Sequence, residues 1–440
     1  MADTTVQRTN ELLYLDDLHV GRRFTSGTHA LDDKQITAFA REFDPQPFHT
    51  DHEAAKATLF HGLAASGWHT AAITMRLQVN GDGQAARPTP FEDGQRDSKV
   101  LTRSTIRGSP MRQLQLVAFG EPSEVIELNT VSEPILGQDD VLVSMEAAPI
   151  NPSDFLLVRG NYGVRPALPF SVGAEGVGRV TQTGSKVDVA LQGKRVLILP
   201  TLEQGTWADQ VVVPVRNLVP MSVEADPLQL SMIGINPVTA YLLLNRYVSL
   251  MPGDWIAQTA ANSAMGQYII ALAKLAGVKT LNVVRREEAA EQVRQWGGDR
   301  VVQQGENLHK DIEEALNGKK LSLVLDTVGG TPVGELAKLL KTGGSTVVYA
   351  ILSGQFPAIS PKDFIYRDLS LHGFWLMNWI RNAPRTEIHE IYQKLGDLVA
   401  DGSLCAAVEH VYPLDQFKEA IKRSLRSNRG GKILFQFGAH

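Results

Sequence analysis

The sequence of 440 residues contains a single cysteine, Cys405, which excludes an internal disulfide and any metal site built from several thiolates. It also has no excess of positive charge, because its 43 lysines and arginines are fewer than its 48 aspartates and glutamates. No local basic cluster indicates nucleic acid binding. No apolar run reaches membrane-spanning length. The N-terminus resembles neither a signal peptide nor a transit peptide. These absences predict a soluble, cytoplasmic protein without nucleic acid or membrane partners.

A polar stretch rich in glycine, proline, serine and arginine divides the sequence. It extends over residues 81–110, has no sustained period of 2 or 3.6 residues, and therefore predicts a linker. Met111 then opens RQLQLVAFG, a pattern typical of the first strand of a new domain. Since the chain is also too long for one ordinary core, we predict a separate N-terminal segment over residues 1–80.

The C-terminal part contains two different patterns of predicted secondary structure. Short β-rich runs, interrupted by glycine, proline and aspartate, extend from Val141 to about Leu244 and indicate a partly open β domain. From Asp254 strands and helices alternate, which favours a parallel sheet with helices on both faces. A final run, KILFQF, predicts a closing strand. The predicted boundaries are 111–235 for the β domain, 236–375 for the doubly wound domain and 376–440 for the return to the β domain.

A degenerate phosphate-binding turn opens the doubly wound part. The usual dinucleotide turn has the pattern Gly-x-Gly-x-x-Gly, whereas TAANSAMGQ keeps only the last glycine, Gly266. Asn262 and Ser263 supply small polar side chains that can donate hydrogen bonds to phosphate. Taken alone, the motif is as compatible with a structural turn. Because it follows a predicted strand and precedes a helix N-terminus, it predicts pyrophosphate binding.

Two arginines indicate which dinucleotide binds. NAD-binding domains usually place an acidic residue at the end of the second strand, but here Arg285 and Arg286 stand there. A guanidinium group matches a 2′-phosphate in charge and fork geometry. The pair therefore predicts NADPH, and the alternative is two solvated surface arginines.

The sequence also lacks the ligands of a zinc enzyme. A catalytic zinc site needs thiolate and imidazole ligands, yet Ala174 in VGAEGVGRV stands where zinc-dependent alcohol dehydrogenases carry histidine. We predict no metal. Hydrogen-bond donors must then assist hydride transfer in place of a Lewis acid.

These motifs resemble the mitochondrial-type 2-enoyl thioester reductases, a zinc-free branch of the medium-chain dehydrogenase/reductase family. The likeness rests on INPSDFLLVRGNYG, INPVTAY, AANSAMGQ, RDLSLHGFWLMNW and RSNRGGKILF and covers about residues 111–440. It implies an α/β protein with a GroES-like β domain and a Rossmann domain, NADPH as cofactor, an acyl thioester substrate, and a homodimer joined through the Rossmann domain. The alternatives are a quinone or enone oxidoreductase and a non-catalytic NADPH-binding protein.

The resemblance also implies roles for single residues. Tyr162 of GNYG matches the tyrosine that polarises the thioester carbonyl, where a phenol would stabilise the developing enolate. In one departure, Tyr349 is followed by Ala350 and Ile351 instead of two glycines, which predicts a narrower site. The positions that match the cofactor-binding segments are Asn236, Asn262, Ser263, Ala264, Met265, Gly266, Arg285, Arg286, Glu287, Tyr349, Phe374, Trp375, Leu376 and Lys432.

The N-terminal segment resembles the front half of the MaoC-like, (R)-specific enoyl-CoA hydratases of hotdog fold. The likeness covers about residues 12–79 and places Asp44 and His49 at the acid–base pair of those hydratases. No run of alternating strands follows before Met111 to cover the helix of a complete hotdog. We therefore expect a partial α+β hotdog segment with a vestigial pair, and a bifunctional hydratase–reductase is the alternative.

Overall fold

The computed structural model describes residues 29–56, 58, 62–66, 69–70, 72–73, 111–131, 136–426 and 429–438. The chain divides into two compact units, Met1–Ser104 and Thr105–His440, each of which is described by itself. The predicted linker over residues 81–110 lies outside the described residues. In the described ranges no helix has both the length and the apolar character needed to span a bilayer.

Three short helices make up most of the described part of the first unit: α1 (Asp33–Phe43), α2 (Pro47–Thr50) and α3 (His52–Lys56). A capping box begins α1, because the Asp32 side chain accepts from the Gln35 amide and the Gln35 side chain accepts from the Asp32 amide. The helix ends immediately before Asp44, whose amide donates to the Ala40 carbonyl. This end of the helix therefore positions the predicted acid–base pair.

The described residues of the second unit form sixteen strands. They are β1 (Met111–Leu116), β2 (Ile126–Val131), β3 (Asp140–Pro149), β4 (Phe170–Ser171), β5 (Gly176–Thr183), β6 (Arg195–Ile198), β7 (Gln210–Pro214), β8 (Leu218–Pro220), β9 (Trp255–Gln258), β10 (Lys279–Val284), β11 (Arg300–Gln303), β12 (Leu321–Asp326), β13 (Leu340–Val348), β14 (Ser370–Gly373), β15 (Val408–Tyr412) and β16 (Lys432–Gln436).

Its helices connect these strands. They are α4 (Pro122–Val125), α5 (Pro152–Val158), α6 (Pro227–Ser231), α7 (Asn236–Arg246), α8 (Ala264–Leu275), α9 (Glu287–Gln295), α10 (Leu308–Leu316), α11 (Thr331–Lys338), α12 (Pro361–Arg367), α13 (Leu376–Asn382), α14 (Arg385–Ala400) and α15 (Phe417–Ser424), with short 3-10 helices at Val189–Leu191, Val215–Asn217 and Leu414–Gln416.

The GroES-like β domain consists of two sheets. One has three strands in the order β2-β1-β4, and the other has seven, in the order β15-β16-β3-β5-β6-β8 with β7 paired to β3. Most pairs are antiparallel, and β15 with β16 is parallel. The two C-terminal strands thus return to the β domain, as the sequence predicts. Their return brings the last strand alongside β3, which leads directly into α5 and the residues of the site.

The Rossmann domain is one parallel sheet of six strands in the order β11-β10-β9-β12-β13-β14. All six side chains of β12 are buried, as expected for a strand covered on both faces. The chain runs outward from β9 to β11 and then resumes on the other side of β9 with β12. A crevice is expected at this switch point, outside the carboxyl ends of β9 and β12, and it is where such sheets bind ligands. The predicted α/β fold class is confirmed.

One part of the sequence-based secondary structure is wrong. The stretch up to Leu244 was predicted to be β-rich, but α6 and α7 occupy much of its end. Each of these helices carries proline in its first turn, a position that tolerates the missing amide hydrogen and favours helix initiation. Apolar runs such as AYLLL fit a buried helix as well as a strand, and period alone does not separate the two. The predicted domain boundaries stay predictions.

Candidate active site

The turn between β9 and α8 is tight enough to require glycine at its end. Ser263 is the N-cap of α8, and its hydroxyl accepts a hydrogen bond from the Gly266 amide at 3.1 Å. A Cβ atom on Gly266 would lie 2.1 Å from the Ala261 carbonyl oxygen, so no other residue fits without moving the turn. Ala260 adopts a left-handed backbone with φ of 48°. The close approach of backbone to helix and the N-terminus of a 12-residue helix suit a pyrophosphate.

A buried hydrogen-bonded pair joins the carboxyl ends of β9 and β12 at the switch point. The Thr259 hydroxyl donates to Asp326 Oδ1 at 2.7 Å, and the Thr327 amide donates to the same hydroxyl at 3.0 Å. Asp326 also accepts from the Gly329 amide at 2.9 Å. These contacts hold the two sides of the crevice in register. Sequence reasoning missed Thr259 and Asp326, although polar residues that end neighbouring buried strands are a usable signal.

Arg285, Arg286 and Glu287 lie at the carboxyl end of β10, where their side chains are exposed. Arg286 is the N-cap of α9 and Glu287 is its first residue. The Glu287 carboxylate accepts from Arg294 Nη1 at 2.8 Å. The end of the strand paired with β9 therefore carries two exposed arginines, and their role in binding a 2′-phosphate stays a prediction.

Tyr162 and Trp375 meet although 213 residues separate them in the chain. Trp375 Nε1–H donates to the Tyr162 phenol oxygen at 3.0 Å, and the two rings meet edge to face with centroids 5.9 Å apart. Gly163 leaves room for this contact, since a Cβ atom there would lie 3.1 Å from the indole ring. Burial raises the pKa of the Tyr162 phenol above its usual value, the Trp375 hydrogen bond opposes this, and Asp154 adds to it. The phenol therefore stays protonated at neutral pH.

A small cavity of about 40 Å³ opens beside Tyr162. Its lining is mostly apolar, and it contains the Ala174 position where zinc enzymes carry histidine. The lining residues are Ser153, Asp154, Leu157, Tyr162, Ala174, Pro200, Leu202, Ile235, Leu376 and Met377. Leu376, which was predicted to lie near the cofactor, thus lies near the phenol. Ile351 does not line this cavity and is 69% exposed, so the structure does not support the predicted narrowing by its side chain.

A buried cluster of ionisable side chains adjoins the cavity, which one of its members, Asp154, also lines. Lys432 Nζ donates to Asn151 Oδ1, Asn151 Nδ2 donates to Glu175 Oε1 at 2.8 Å, and Asp154 Oδ2 accepts from the Asn151 amide at 2.7 Å. Burial raises the pKa of Asp154 to about 7 and raises that of Glu175, whereas it lowers that of Lys432. Lys432 was predicted to contact the cofactor, and here its ammonium group points into this cluster. Asp154 and Glu175 were missed because nothing local in the sequence marks them.

The remaining predicted cofactor residues follow strands of the Rossmann sheet or lie at the beginnings of helices. The Tyr349 amide donates to the Asp326 carbonyl at 3.0 Å and the Phe374 amide to the Val348 carbonyl at 2.9 Å, so both follow the carboxyl ends of their strands. Asn236 begins α7 and is partly buried. The other turn residues are Asn262, which is partly exposed, and Ala264 and Met265 in the first turn of α8.

The structure also brings together the two residues of the predicted hydratase pair. His49 Nε2 lies 3.6 Å from Asp44 Oδ2, and His49 Nδ1 donates to the Ala64 carbonyl at 2.7 Å. His49 is buried. The sequence prediction that no strands follow to complete a hotdog falls on residues 74–110, which lie outside the described residues. The hydratase role stays a prediction.

In the part of the chain that the structure describes, no group of three or more histidine, cysteine, aspartate or glutamate side chains could hold a metal ion. The absence of zinc stays a prediction.

Three family profiles match the chain. A profile described as "Alcohol dehydrogenase GroES-like domain" matches residues 137–223, and one described as "Zinc-binding dehydrogenase" matches residues 264–395. The third, "MaoC like domain", matches residues 19–89. The first two correspond to the β domain and the Rossmann domain, and the third to the N-terminal segment.

Curated relatives match most of the second unit. Mitochondrial enoyl-[acyl-carrier-protein] reductase from Rattus norvegicus is 34% identical over 323 residues, which are 72% of this chain and 86% of the relative. The enzyme of the same name from Dictyostelium discoideum is 34% identical over 74% of this chain and 95% of its own length. Because such relatives are named as mitochondrial, the sequence prediction of a cytoplasmic protein is wrong.

Solved structures share the fold. A putative NADPH:quinone reductase from Bacillus thuringiensis superposes with a TM-score of 0.70 and 26% identity, covering 75% of this chain and all of that one. The Etr1p structure in complex with NADP and crotonyl-CoA superposes with a TM-score of 0.66 and 22% identity over 75% of this chain and all of that one. At that identity the second likeness shows the fold alone.

Proposed function

This chain belongs to the enoyl-[acyl-carrier-protein] reductase family of the medium-chain dehydrogenases/reductases, and we propose that Tyr162 and Trp375 form its reaction centre. The predicted family is thereby confirmed, as is the MaoC-like character of the N-terminal segment. The protein is an NADPH-dependent oxidoreductase that reduces the carbon–carbon double bond of 2-enoyl thioesters.

The hydrogen bond between Trp375 and Tyr162 is the observation that carries the proposed centre. An indole N–H can only donate, so the phenol oxygen accepts and its own proton is free to point elsewhere. When bound, NADPH supplies the hydride. Tyr162 then donates a hydrogen bond to the thioester oxygen, on which negative charge develops, and Trp375 holds the phenol in place. The raised pKa of the phenol keeps this proton available at neutral pH.

The crevice at the switch point provides the cofactor site. Asn262, Ser263 and Gly266 receive the pyrophosphate at the N-terminus of α8, and Arg285 with Arg286 receives the 2′-phosphate. Two arginines on a surface would not by themselves indicate a phosphate site. This pair follows β10, the strand next to β9, and in Rossmann domains the adenosine ribose of a dinucleotide lies at that strand end.

A homodimer joined through the Rossmann domain fits the exposed edge of its sheet. Within the described residues β14 pairs only with β13. An unpaired edge strand invites a further strand. Large apolar side chains are exposed on β14 and on the segment of chain that connects β13 to it, and we call them the edge patch: Ile351, Leu352, Phe356, Ile365, Tyr366 and Leu371. Exposed apolar side chains of this kind, together with an edge strand, indicate an interface.

Replacing Tyr162 tests the reaction centre. We expect Tyr162→Phe to lower kcat for reduction of crotonyl-CoA with NADPH by about 10²–10³, the loss found on removing one oxyanion donor. The affinity for NADPH, measured by fluorescence titration, should stay as in the unaltered protein, because the phenol is not placed at the cofactor phosphates.

Tyr247→Phe is the matched control, since it removes a phenol oxygen from a tyrosine that packs against His372, away from the cavity. Full activity of Tyr162→Phe would refute the assignment. Reduction of quinones or enones but of no enoyl thioester would favour the alternative oxidoreductase function, and NADPH binding without turnover of any substrate would favour a non-catalytic protein.

A further inference from the structure

A second and much larger cavity, of about 600 Å³, lies next to the first. Leu202 and Met377 line both, so the two cavities adjoin. The volume falls within the range of about 300–1,000 Å³ that is usual for ligand sites. Leu202 has a left-handed backbone with φ of 60°, a conformation that is uncommon for leucine and found more often at functional sites. The larger cavity is therefore placed to hold the part of a substrate that extends away from Tyr162.

The charge of this cavity is one-sided. Four arginines line it, Arg165, Arg216, Arg381 and Arg385, against one carboxylate, Glu203. Arg216 is neutralised, because its Nη2 donates to Glu203 Oε2 at 2.5 Å. Over the residues that the structure describes, the other three guanidinium groups form no salt bridge. An anion in the cavity would supply the missing countercharge.

The unpaired guanidinium groups are oriented by contacts that leave donors available. Arg165 lies over the Phe119 ring at 4.3 Å and Arg381 over the Trp375 ring at 5.6 Å. Stacking uses the face of a guanidinium group, so its N–H edges remain for a phosphate. One N–H group of Arg385 donates to the Leu218 carbonyl at 2.5 Å. Its partial burial lowers its pKa.

A helix end adds to the positive potential. Arg385 and Ile388 lie in the first turn of α14, a helix of 16 residues whose N-cap, Pro384, forms no side-chain hydrogen bond. The positive end of the helix dipole and the unpaired amides of the first turn thus lie at the cavity wall. None of the residues assigned to the cofactor phosphates lines this cavity.

We propose that the larger cavity binds the phosphate end of the phosphopantetheine arm that carries the enoyl group, through Arg165, Arg381 and Arg385. This inference rests on the proposed function, since it needs a thioester held at Tyr162. Coenzyme A and a prosthetic group on a carrier protein share this chemistry. Apolar residues such as Val164 and Ile380 form the rest of the wall and suit the aliphatic part of the arm.

The test compares three thioesters whose arm is shortened in two steps: crotonyl-CoA, crotonyl-phosphopantetheine, which lacks the adenosine nucleotide, and crotonyl-pantetheine, which also lacks the phosphate. For Arg381→Gln and for Arg165→Gln we expect kcat/KM to fall about tenfold with the first two, because each loses a charged hydrogen bond, and to change less than about twofold with crotonyl-pantetheine. Arg246→Gln, an exposed arginine at the end of α7, is the control for loss of one charge and should match the unaltered protein.

Binding gives a readout that does not depend on turnover. Coenzyme A should bind the unaltered protein in calorimetry and bind Arg381→Gln about tenfold more weakly. Equal losses on all three thioesters would overturn the phosphate site and show that Arg381 acts through Trp375 alone. An unaltered protein that reduces no thioester but still binds coenzyme A through these arginines would overturn the proposed function and keep the anion site.

A further experiment distinguishes coenzyme A from a carrier protein as the source of the phosphopantetheine arm. Crotonyl-loaded acyl carrier protein should lose as much kcat/KM as crotonyl-CoA in the variants if the shared phosphate is what the arginines bind. A loss confined to crotonyl-CoA would place the nucleotide phosphates of coenzyme A in the cavity instead.

Discussion

At the residue scale, burial decides the protonation of the cluster that adjoins the Tyr162 cavity. The Asp154 carboxyl has a pKa of about 7 instead of 3.8, because desolvation outweighs the Asn151 amide and Lys432, which both favour the charged form. Glu175 and Lys432 face it, and Tyr162 lines the same cavity. The folded protein therefore holds a proton on Asp154 between about pH 4 and 7 that the unfolded chain has released. Raising the pH across this window favours unfolding.

Asp154→Asn should remove part of this pH dependence. The asparagine keeps an acceptor for the Asn151 amide but cannot ionise. The thermal midpoint of the unaltered protein should fall when the pH is raised from about 5 to about 8. We expect the midpoint of Asp154→Asn to fall by several degrees less over the same range. Calorimetric scans at the two pH values measure this difference. Asp139→Asn, at an exposed aspartate of the β domain, should follow the unaltered profile, and a parallel profile for Asp154→Asn would show that Asp154 does not titrate in this range.

At the element scale, the turn into α8 and the end of β10 separate two kinds of cofactor contact. Gly266→Ala forces a Cβ atom against the Ala261 carbonyl, so the turn must shift and the approach to a pyrophosphate is lost. Because NADPH and NADH share the pyrophosphate, we expect both to bind at least about tenfold more weakly.

The Arg285→Ala/Arg286→Ala double variant should weaken NADPH by about tenfold or more and leave NADH unchanged, since only NADPH carries the 2′-phosphate. Fluorescence titrations with both dinucleotides measure the contrast. If the arginine variant lost affinity for NADPH and NADH equally, the 2′-phosphate assignment would be refuted. If Gly266→Ala lost affinity for NADPH alone, the assignment of the turn to the pyrophosphate would be refuted.

The same two elements show how far sequence reasoning reaches. Strands, helices and the turn of the Rossmann domain could be predicted because their signals are local: apolar periods, a glycine before a helix, and arginines at a strand end. The contact of Trp375 with Tyr162 could not be derived that way, since 213 residues separate the pair, and only the family resemblance singled out both. The cluster of Lys432 with Asn151 is formed by residues 281 apart, so no local signal in the sequence could predict it.

At the scale of the whole molecule, we expect the edge patch to decide whether two copies associate. Strand β14 ends the Rossmann sheet, and Ile365, Tyr366 and Phe356 are 71%, 77% and 92% exposed. Exposed apolar side chains are costly in water unless a partner covers them, and an edge strand can pair with a further strand. A second copy offers the same edge, and a twofold axis would extend the sheet across both. We therefore expect a dimer in solution.

Charges in the edge patch should break that dimer. The Phe356→Glu/Ile365→Glu variant would bury two carboxylates in the interface, so we expect light scattering to show monomers at concentrations at which the unaltered protein is a dimer. Val189→Glu is the matched control, because Val189 is a similarly exposed apolar residue, at 69%, in the β domain. If two copies associate through another surface, the double variant should remain a dimer. If the reaction centre lies within one copy, as the Tyr162–Trp375 contact requires, the monomeric variant should still bind NADPH.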